Sequence, residues 1–198
     1  MDKIIQYGNF TPIGKHKSKK QIILCHTSRD VEEYLTSLKF RYNKKYDKIP
    51  HFVISRTGKI LQLLPENTFS NFFDFTYMNK NSVIICLENL GWLEKKPLTN
   101  HHINWKGSIY NEPPYEKKWR DYFFWQPYTE EQVNAALELC KKLCEELSIS
   151  KKCSGHNTKI EGIENFDGVV SRSNFDSRFT DLSPSFDFEN FKNKLEYE

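Results

Sequence analysis

The sequence predicts an α/β fold, with a central mixed β-sheet flanked by helices. Short apolar runs alternate with stretches of helical spacing, a pattern typical of a sheet covered by helices. The chain has 198 residues, enough for one domain with a hydrophobic core. Hydrophobic residues make up only 38%, but aromatic residues make up 15%, and each buried aromatic removes a large area from water. Without internal repeats or a linker, residues 1–198 are predicted to form a single domain.

Apolar runs mark the predicted strands. Residues 1–20 are expected to be irregular, and residues 21–26 form a buried strand. A second strand covers residues 50–54, and a turn at residues 56–59 returns the chain as a third, over residues 60–64. Residues 81–89 form the strongest strand. Its apolar run has no polar alternation, which predicts a central position covered on both faces.

Three segments have helical features. The first opens at Asp30, with Ser28 or Asp30 as N-cap. The second follows Thr129, places Gln132 at the capping-box position, and runs to about Leu147. The third covers residues 187–195. Residues 154–181 are predicted as loop, and residues 94–127 as an aromatic-rich insertion with a short hairpin over residues 103–110.

Composition excludes several classes of protein. The net charge is +3 and the charges are interspersed, whereas a nucleic-acid binder needs a concentrated basic face. The five cysteines form no CxxC pair, which favours a reducing compartment over a disulfide framework. No apolar run approaches the length of a membrane span, and the amino terminus lacks the apolar stretch of a signal peptide. We therefore expect a monomer that is cytoplasmic at synthesis.

Three residues far apart in the sequence are candidate metal ligands. His26 ends the first apolar run, His156 follows Gly155, and Asp181 lies in the segment Phe179-Thr180-Asp181-Leu182-Ser183-Pro184. Two imidazoles and a carboxylate can hold a catalytic Zn²⁺ with one position open for water. Taken singly, each residue has an ordinary alternative: a core histidine, a loop histidine and a turn-bracing aspartate.

Four segments together resemble the type 2 zinc-dependent N-acetylmuramoyl-L-alanine amidases, a family that includes phage lysozyme-like amidases and peptidoglycan recognition proteins. They are the strand ending at His26, the run Pro50-His51-Phe52-Val53-Ile54 with its Arg-x-Gly hairpin, the strand at residues 81–88, and Gly155-His156 with the later Thr180-Asp181-Leu182-Ser183-Pro184-Ser185-Phe186. The resemblance spans roughly residues 21–92 and 128–195.

The resemblance implies a hydrolase and its substrate. A Zn²⁺ held by His26, His156 and Asp181 would lower the pKa of its bound water to about 7. The resulting hydroxide would cleave the amide between N-acetylmuramic acid and L-alanine, in peptidoglycan or in a muropeptide. A lytic endolysin released to the cell wall by lysis and a cytoplasmic recycling enzyme both fit.

The sequence departs from the family pattern where protons are handled. Pro50 stands where some members have tyrosine, and Cys86 where others have glutamate. Glu88 points to the same face of the strand as Cys86 and is our candidate general base. Phe179 replaces a basic residue, so the adjacent Arg178 is our candidate for stabilising the oxyanion.

Further residues are candidates for binding the substrate. His51, Trp92 and Thr180 are expected near the site, and the aromatic residues of the insertion are candidates for lining a sugar-peptide groove. Because of the departures, a non-catalytic peptidoglycan-binding module with the same fold stays open as an alternative. So does a zinc hydrolase that acts on a different amide.

Overall fold

The described residues form a six-stranded central sheet, a five-stranded second sheet, a small two-stranded sheet and four α-helices. The structure, a computed structural model, describes residues 4–99 and 101–198. In chain order the strands are β1 (Ile5–Gln6), β2 (Gly14–Lys15), β3 (Gln21–His26), β4 (Phe52–Ile54), β5 (Ile60–Gln62), β6 (Thr68–Phe69), β7 (Ser82–Leu87), β8 (Trp92–Lys95), β9 (His102–Ile103), β10 (Ile109–Tyr110), β11 (Tyr115–Trp119), β12 (Tyr122–Trp125) and β13 (Gly168–Ser171). The helices are α1 (Val31–Phe40), α2 (Thr76–Asn81), α3 (Glu130–Leu147) and α4 (Phe188–Tyr197), with 3₁₀ segments at Arg41–Lys44, Ile163–Asn165 and Arg172–Asn174.

The central sheet is mixed and has the strand order β1-β5-β4-β7-β3-β13. Strands β4, β7, β3 and β13 are parallel to one another, whereas β5 runs antiparallel to β4. The carboxyl ends of four strands therefore meet at one edge, where open α/β sheets place their ligands.

Helices cover both faces of this sheet. In β3, Ile22 and Leu24 face one apolar cluster, which includes buried residues of α3 and α4. Ile23 and Cys25 face the other cluster, which includes residues of α1 and α2. The predicted α/β fold, a central mixed sheet flanked by helices, is confirmed. All five cysteines are buried and free.

All three predicted helices begin where the sequence predicts, and α4 has Asp187 as its N-cap. The Asp30 side chain accepts a hydrogen bond from the Glu33 backbone N–H at 2.8 Å, and Thr129 accepts one from Gln132 at 3.2 Å. Helix α3 ends at Ser148, which adopts a left-handed conformation. Within residues 4–99 and 101–198, no helix combines the length and the apolarity needed to cross a membrane.

Several elements differ from the prediction, among them the strands β6, β8, β11 and β12, which were not predicted. Strands β1 and β2 lie in the segment expected to be irregular, of which residues 1–3 are outside the described part. Helix α2 precedes β7 and was not predicted. The largest difference is β13, a strand inside the expected loop 154–181. It has only two apolar residues, Val169 and Val170, and all four of its residues pair with β3.

The second sheet is antiparallel, with the order β10-β9-β8-β12-β11. Strands β9 and β10 form the hairpin predicted inside the insertion, with Ile103 opposite Ile109. Strand β8 follows β7 closely, so the second sheet lies beside the carboxyl edge of the central one.

Candidate functional site

His26 and Asp181 meet at the carboxyl edge of the central sheet. Nε2 of His26 lies 3.7 Å from Oδ1 of Asp181, and the His26 backbone N–H donates to Oδ2 at 3.2 Å. Gly91 packs against the imidazole, and a Cβ at that position would lie 3.0 Å from Cε1 of His26. Burial lowers the pKa of His26 below its usual value, which Asp181 opposes.

Asp181 is held in place through its backbone. Its carbonyl oxygen accepts hydrogen bonds from the Ser173 N–H at 2.7 Å and the Ser173 hydroxyl at 2.6 Å. The residue is only 2% exposed. Ser173 follows β13, so this strand positions the carboxylate beside His26.

Arg172 is the third polar side chain at this centre. It follows Ser171, the last residue of β13, which pairs with Leu24 of β3. Nη1 of Arg172 lies 3.9 Å from Oδ2 of Asp181, and its guanidinium lies 3.1 Å from the ring centroid of Phe179. Its buried Nε has no hydrogen-bond partner among the described residues, and neither has the buried Nδ1 of His26.

His156 does not join His26 and Asp181. It is exposed, and its Nδ1 lies 2.9 Å from the Thr158 hydroxyl. It lines neither of the two cavities beside His26. The cause is β13, which pairs directly with β3, while Cys153 bridges to Val169 of β13. Strand β13 therefore lies between β3 and the segment that carries His156, which keeps His156 away from His26.

The residues brought together do not fit a zinc ion. A catalytic zinc takes three protein ligands. This centre offers only two, His26 and Asp181, and its third side chain is the guanidinium of Arg172. Across the described part of the chain, no group of three or more His, Cys, Asp or Glu side chains is placed to hold a metal. Among the described residues, His26 and Asp181 meet as expected, but His156 does not join them.

Glu88, the candidate general base, has a structural position instead. Its carboxylate accepts hydrogen bonds from the backbone N–H of Val31 at 3.0 Å and of Arg56 at 2.8 Å. It thereby joins the start of α1 to the turn after β4. Glu88 lines neither cavity beside His26, because both of its oxygens are directed at these amides.

His51 is also placed away from the centre. Its side chain is fully buried, with Nε2 2.9 Å from the Thr68 carbonyl oxygen and Nδ1 accepting from the Ile84 N–H at 3.0 Å. Burial lowers the pKa of His51 to about 3. It precedes β4, at the opposite edge of the sheet from His26, so it does not line the cleft as expected.

A cleft of about 480 Å³ opens beside His26 and Asp181. Trp92, Arg178 and Thr180, three of the predicted site residues, line it. Arg178 donates to Asp176 and to Asp74, each at 2.9 Å, and these carboxylates raise the pKa of its guanidinium.

The insertion supplies one wall of the cleft. Trp105 and Tyr122 come from it, and Tyr122 stacks on Trp92 with ring centroids 4.6 Å apart. The Trp105 indole N–H donates to the Ser28 carbonyl oxygen at 2.6 Å, which fixes this wall to the segment after β3. A second cavity of about 290 Å³ lies beyond Trp105 and is lined by Arg172.

Sequence reasoning missed two cations of this site, Arg172 and Arg120. The signal for Arg172 was the short run Gly168-Val169-Val170-Ser171, which ends at Arg172 much as the first apolar run ends at His26. Arg120 donates to the Ser177 carbonyl oxygen at 2.8 Å. Nothing local in the sequence marks that contact.

Comparison with known families identifies the chain. The family model described as N-acetylmuramoyl-L-alanine amidase (Amidase_2) matches residues 15–168, most of the chain. The chain belongs to this amidase family. The matched region ends at the first residue of β13, so it contains His26 and His156 but neither Arg172 nor Asp181. A search of curated proteins gives no match.

Solved structures of amidases and of a recognition protein share the fold of this family member. LysC, an N-acetylmuramoyl-L-alanine amidase from Clostridium intestinale URNW, is 16% identical with a TM-score of 0.59, over 98% of each chain. AmiD from E. coli, solved with anhydro-N-acetylmuramic acid-L-Ala-D-gamma-Glu-L-Lys, is 18% identical with a TM-score of 0.59, over 91% of this chain and 59% of that chain. Peptidoglycan recognition protein-LE, in complex with tracheal cytotoxin, is 12% identical with a TM-score of 0.51, over 88% and 84%.

Proposed function

We propose that this amidase-family protein binds the muramoyl-peptide part of peptidoglycan in the cleft beside His26. The observation that carries the proposal is the aromatic-walled cleft at the carboxyl edge of the sheet. Ligand sites of this kind combine apolar walls with a few convergent polar groups. Membership of the N-acetylmuramoyl-L-alanine amidase family supports the choice of ligand.

The aromatic side chains suit the sugar. Trp105 is 43% exposed and Phe179 36% exposed at the cleft. Trp92 and Tyr122 are half-buried and hold each other by stacking. Large flat rings of this kind provide contact area with little loss of side-chain entropy. We assign the N-acetylmuramoyl ring to this wall.

The polar side chains suit the peptide. Arg120, Arg178 and Thr180 line the cleft on the side of Asp181. Their donors can pair with the carbonyl and carboxylate oxygens of a short peptide. The lactyl–L-alanine junction would then lie near His26 and Asp181, with the sugar and the peptide on opposite sides.

Zinc-dependent hydrolysis of the amide between N-acetylmuramic acid and L-alanine is the second candidate function. The pairing of His26 with Asp181 favours it, because two of the three predicted ligands are within 3.7 Å of each other. Recognition needs only the cleft, whereas hydrolysis needs a third ligand that the described arrangement does not supply. We therefore place recognition of the muramoyl-peptide first. The roles of a lytic endolysin and of a recycling enzyme both require hydrolysis, so they belong to the second candidate function.

Calorimetric titration with a purified muramoyl-tetrapeptide tests the proposal. We expect Trp105→Ala to weaken binding by about tenfold, the cost of truncating a central aromatic contact. Phe123→Ala is the matched control, because Phe123 is exposed on the second sheet and does not line the cleft. Equal affinities of wild type and Trp105→Ala would contradict the proposed position of the ligand.

Mass spectrometry of the same samples separates the two candidates. Binding without cleavage, with and without added zinc, supports recognition. Release of a peptide with a free L-alanine amine, dependent on added zinc, supports hydrolysis and would move recognition to second place.

A further inference from the structure

Arg172 packs against two aromatic rings beside Asp181. Its guanidinium lies over the Phe179 ring, and the Phe73 ring centroid is 5.4 Å away. The side chain is 15% exposed, so most of it is removed from water. An arginine stacked on aromatic rings keeps its charge in a defined position.

We infer that Arg172 occupies the corner of the site where a third zinc ligand would stand, and that it receives a carboxylate of the bound ligand. The first part rests on the position of Arg172 beside Asp181. The second part also rests on the proposed function, which names the ligand as a muramoyl-peptide. Its carboxylate would reach Arg172 in the second cavity, which shares His26, Trp105 and Asp181 with the cleft.

The buried Nε of Arg172 is the observation that points to an anion. Nη1 faces Asp181, and Nε has no hydrogen-bond partner among the described residues. An unpaired buried donor is costly, so such groups are normally satisfied by a bound partner. A carboxylate fits the fork of an arginine through two parallel hydrogen bonds.

The charges around the site also favour an anion. Asp181 already accepts a hydrogen bond from the His26 backbone and faces Arg172. Arg120 donates to the carbonyl oxygens of Ser177 and Phe179. In the cleft, Arg120 and Arg178 are balanced by Asp121 and Asp181. The second cavity, which Arg172 lines, has Arg29, Arg41 and Lys48 in addition, against the carboxylate of Asp181. A cavity with an excess of one charge concentrates ligands of the opposite charge.

The same guanidinium disfavours a divalent cation. A metal bound between His26 and Asp181 would lie close to Arg172, within a buried site where like charges are poorly screened. The arginine side chain offers no lone pair to a metal, because a guanidinium has only hydrogen-bond donors.

Zinc binding tests the first part without any peptidoglycan ligand. Wild type, Arg172→His and His156→Ala are dialysed against micromolar zinc, and bound metal is measured. We expect wild type and His156→Ala to retain equally little zinc. Arg172→His adds an imidazole beside His26 and Asp181, so its zinc affinity should rise by about tenfold or more. Stoichiometric zinc in wild type that His156→Ala loses would overturn the inference.

A matched ligand pair tests the second part. N-acetylmuramoyl-L-alanine and its carboxamide differ only in the charge of the terminal group. We expect wild type to prefer the acid by about tenfold, the gain from a charge-assisted pair. Arg172→Gln should remove this preference. Arg41→Gln removes the same charge from the exposed side of the second cavity and should keep it.

The outcomes separate the inference from the proposed function. Equal binding of acid and carboxamide by wild type contradicts the carboxylate contact alone. Absence of binding by both compounds contradicts the contact and the proposed function together. Thermal unfolding of Arg172→Gln and Arg172→His shows that each variant is folded, and the zinc gain in Arg172→His cannot come from unfolding because it requires His26 and Asp181 to be in place.

Discussion

Two neighbouring parallel strands, β3 and β13, end at the cleft and deliver opposite chemistry. Strand β3 ends at His26, a buried imidazole whose pKa is lowered by burial. Strand β13 ends just before Arg172, whose guanidinium only donates hydrogen bonds and cannot bind a metal. Asp181 lies between the two, 3.7 Å from His26 and 3.9 Å from Arg172.

The difference shows that one edge strand decides what this centre can bind. With an imidazole after β13, the centre would offer the ligand set of a zinc hydrolase. With Arg172 at that position, the centre contains an ion pair between Arg172 and Asp181, and the buried Nε of Arg172 has no hydrogen-bond partner among the described residues. The strand scaffold is the same in both cases, and function depends on the residue at the strand end.

We expect the largest loss of stability from Gly168→Ala, which alters the first residue of β13. Gly168 has φ +144, and a Cβ there would lie 2.2 Å from the Lys152 carbonyl oxygen. Strained backbone and overpacking each cost about 1–3 kcal/mol, so we expect a loss of about 3 kcal/mol or more. Urea denaturation measures the loss.

Gly107→Ala is the matched control for Gly168→Ala. Gly107 also has a positive φ, +83, but a Cβ there meets nothing within 4 Å. It should cost about 1–2 kcal/mol from backbone strain alone. Equal losses in the two variants would show that the close packing of β13 against Lys152 does not contribute.

Gly91→Ala disturbs His26, the last residue of β3. Gly91 has φ +78, and its Cβ would lie 3.2 Å from Nε2 of His26. We expect a loss of about 2 kcal/mol from strain, together with weaker muramoyl-peptide binding because the imidazole must move. Calorimetry and urea denaturation check the two effects. Unchanged affinity would show that the ligand does not approach His26.

A second histidine sharpens the comparison. His51 is as buried as His26, but both of its ring nitrogens have backbone partners. Its pKa is about 3 when folded and about 6.5 when unfolded, so the unfolded chain binds more protons between these values. Stability should therefore fall as pH falls below 6.5, by up to about 1.4 kcal/mol per pH unit.

His51→Gln tests this pH dependence. Glutamine can keep one donor and one acceptor but does not titrate. We expect the variant to lose less stability than wild type between pH 7 and pH 5, measured by urea denaturation. Parallel pH profiles for wild type and variant would show that His51 does not carry the dependence. Thr68 and Ile84, the backbone partners of His51, are unchanged in the variant.

Sequence predicted the fold and the β3 side of the site because the signals there are local. An apolar run of full strand length ends at His26, and the caps at Asp30 and Thr129 are visible within three residues. The β13 side depends on a strand of four residues with two valines, whose position is set by pairing with β3. Strands β3 and β13 are far apart in the sequence, so their pairing leaves no local sequence pattern. His156 was therefore predicted at the position that Arg172 occupies.

The smallest expected effect belongs to Glu88→Gln, which tests whether the third strand end, after β7, takes part in chemistry. One oxygen acceptor is lost, so the N–H of Val31 or of Arg56 loses its partner. We expect a loss of about 1 kcal/mol in stability and unchanged muramoyl-peptide affinity. Glu112→Gln is the control, because it removes a largely exposed partner of Arg56 and should cost less than about 1 kcal/mol. A Glu88→Gln protein of full stability that has lost zinc-dependent hydrolysis would instead restore Glu88 as the general base, and would make β7 rather than β13 the strand that decides the chemistry.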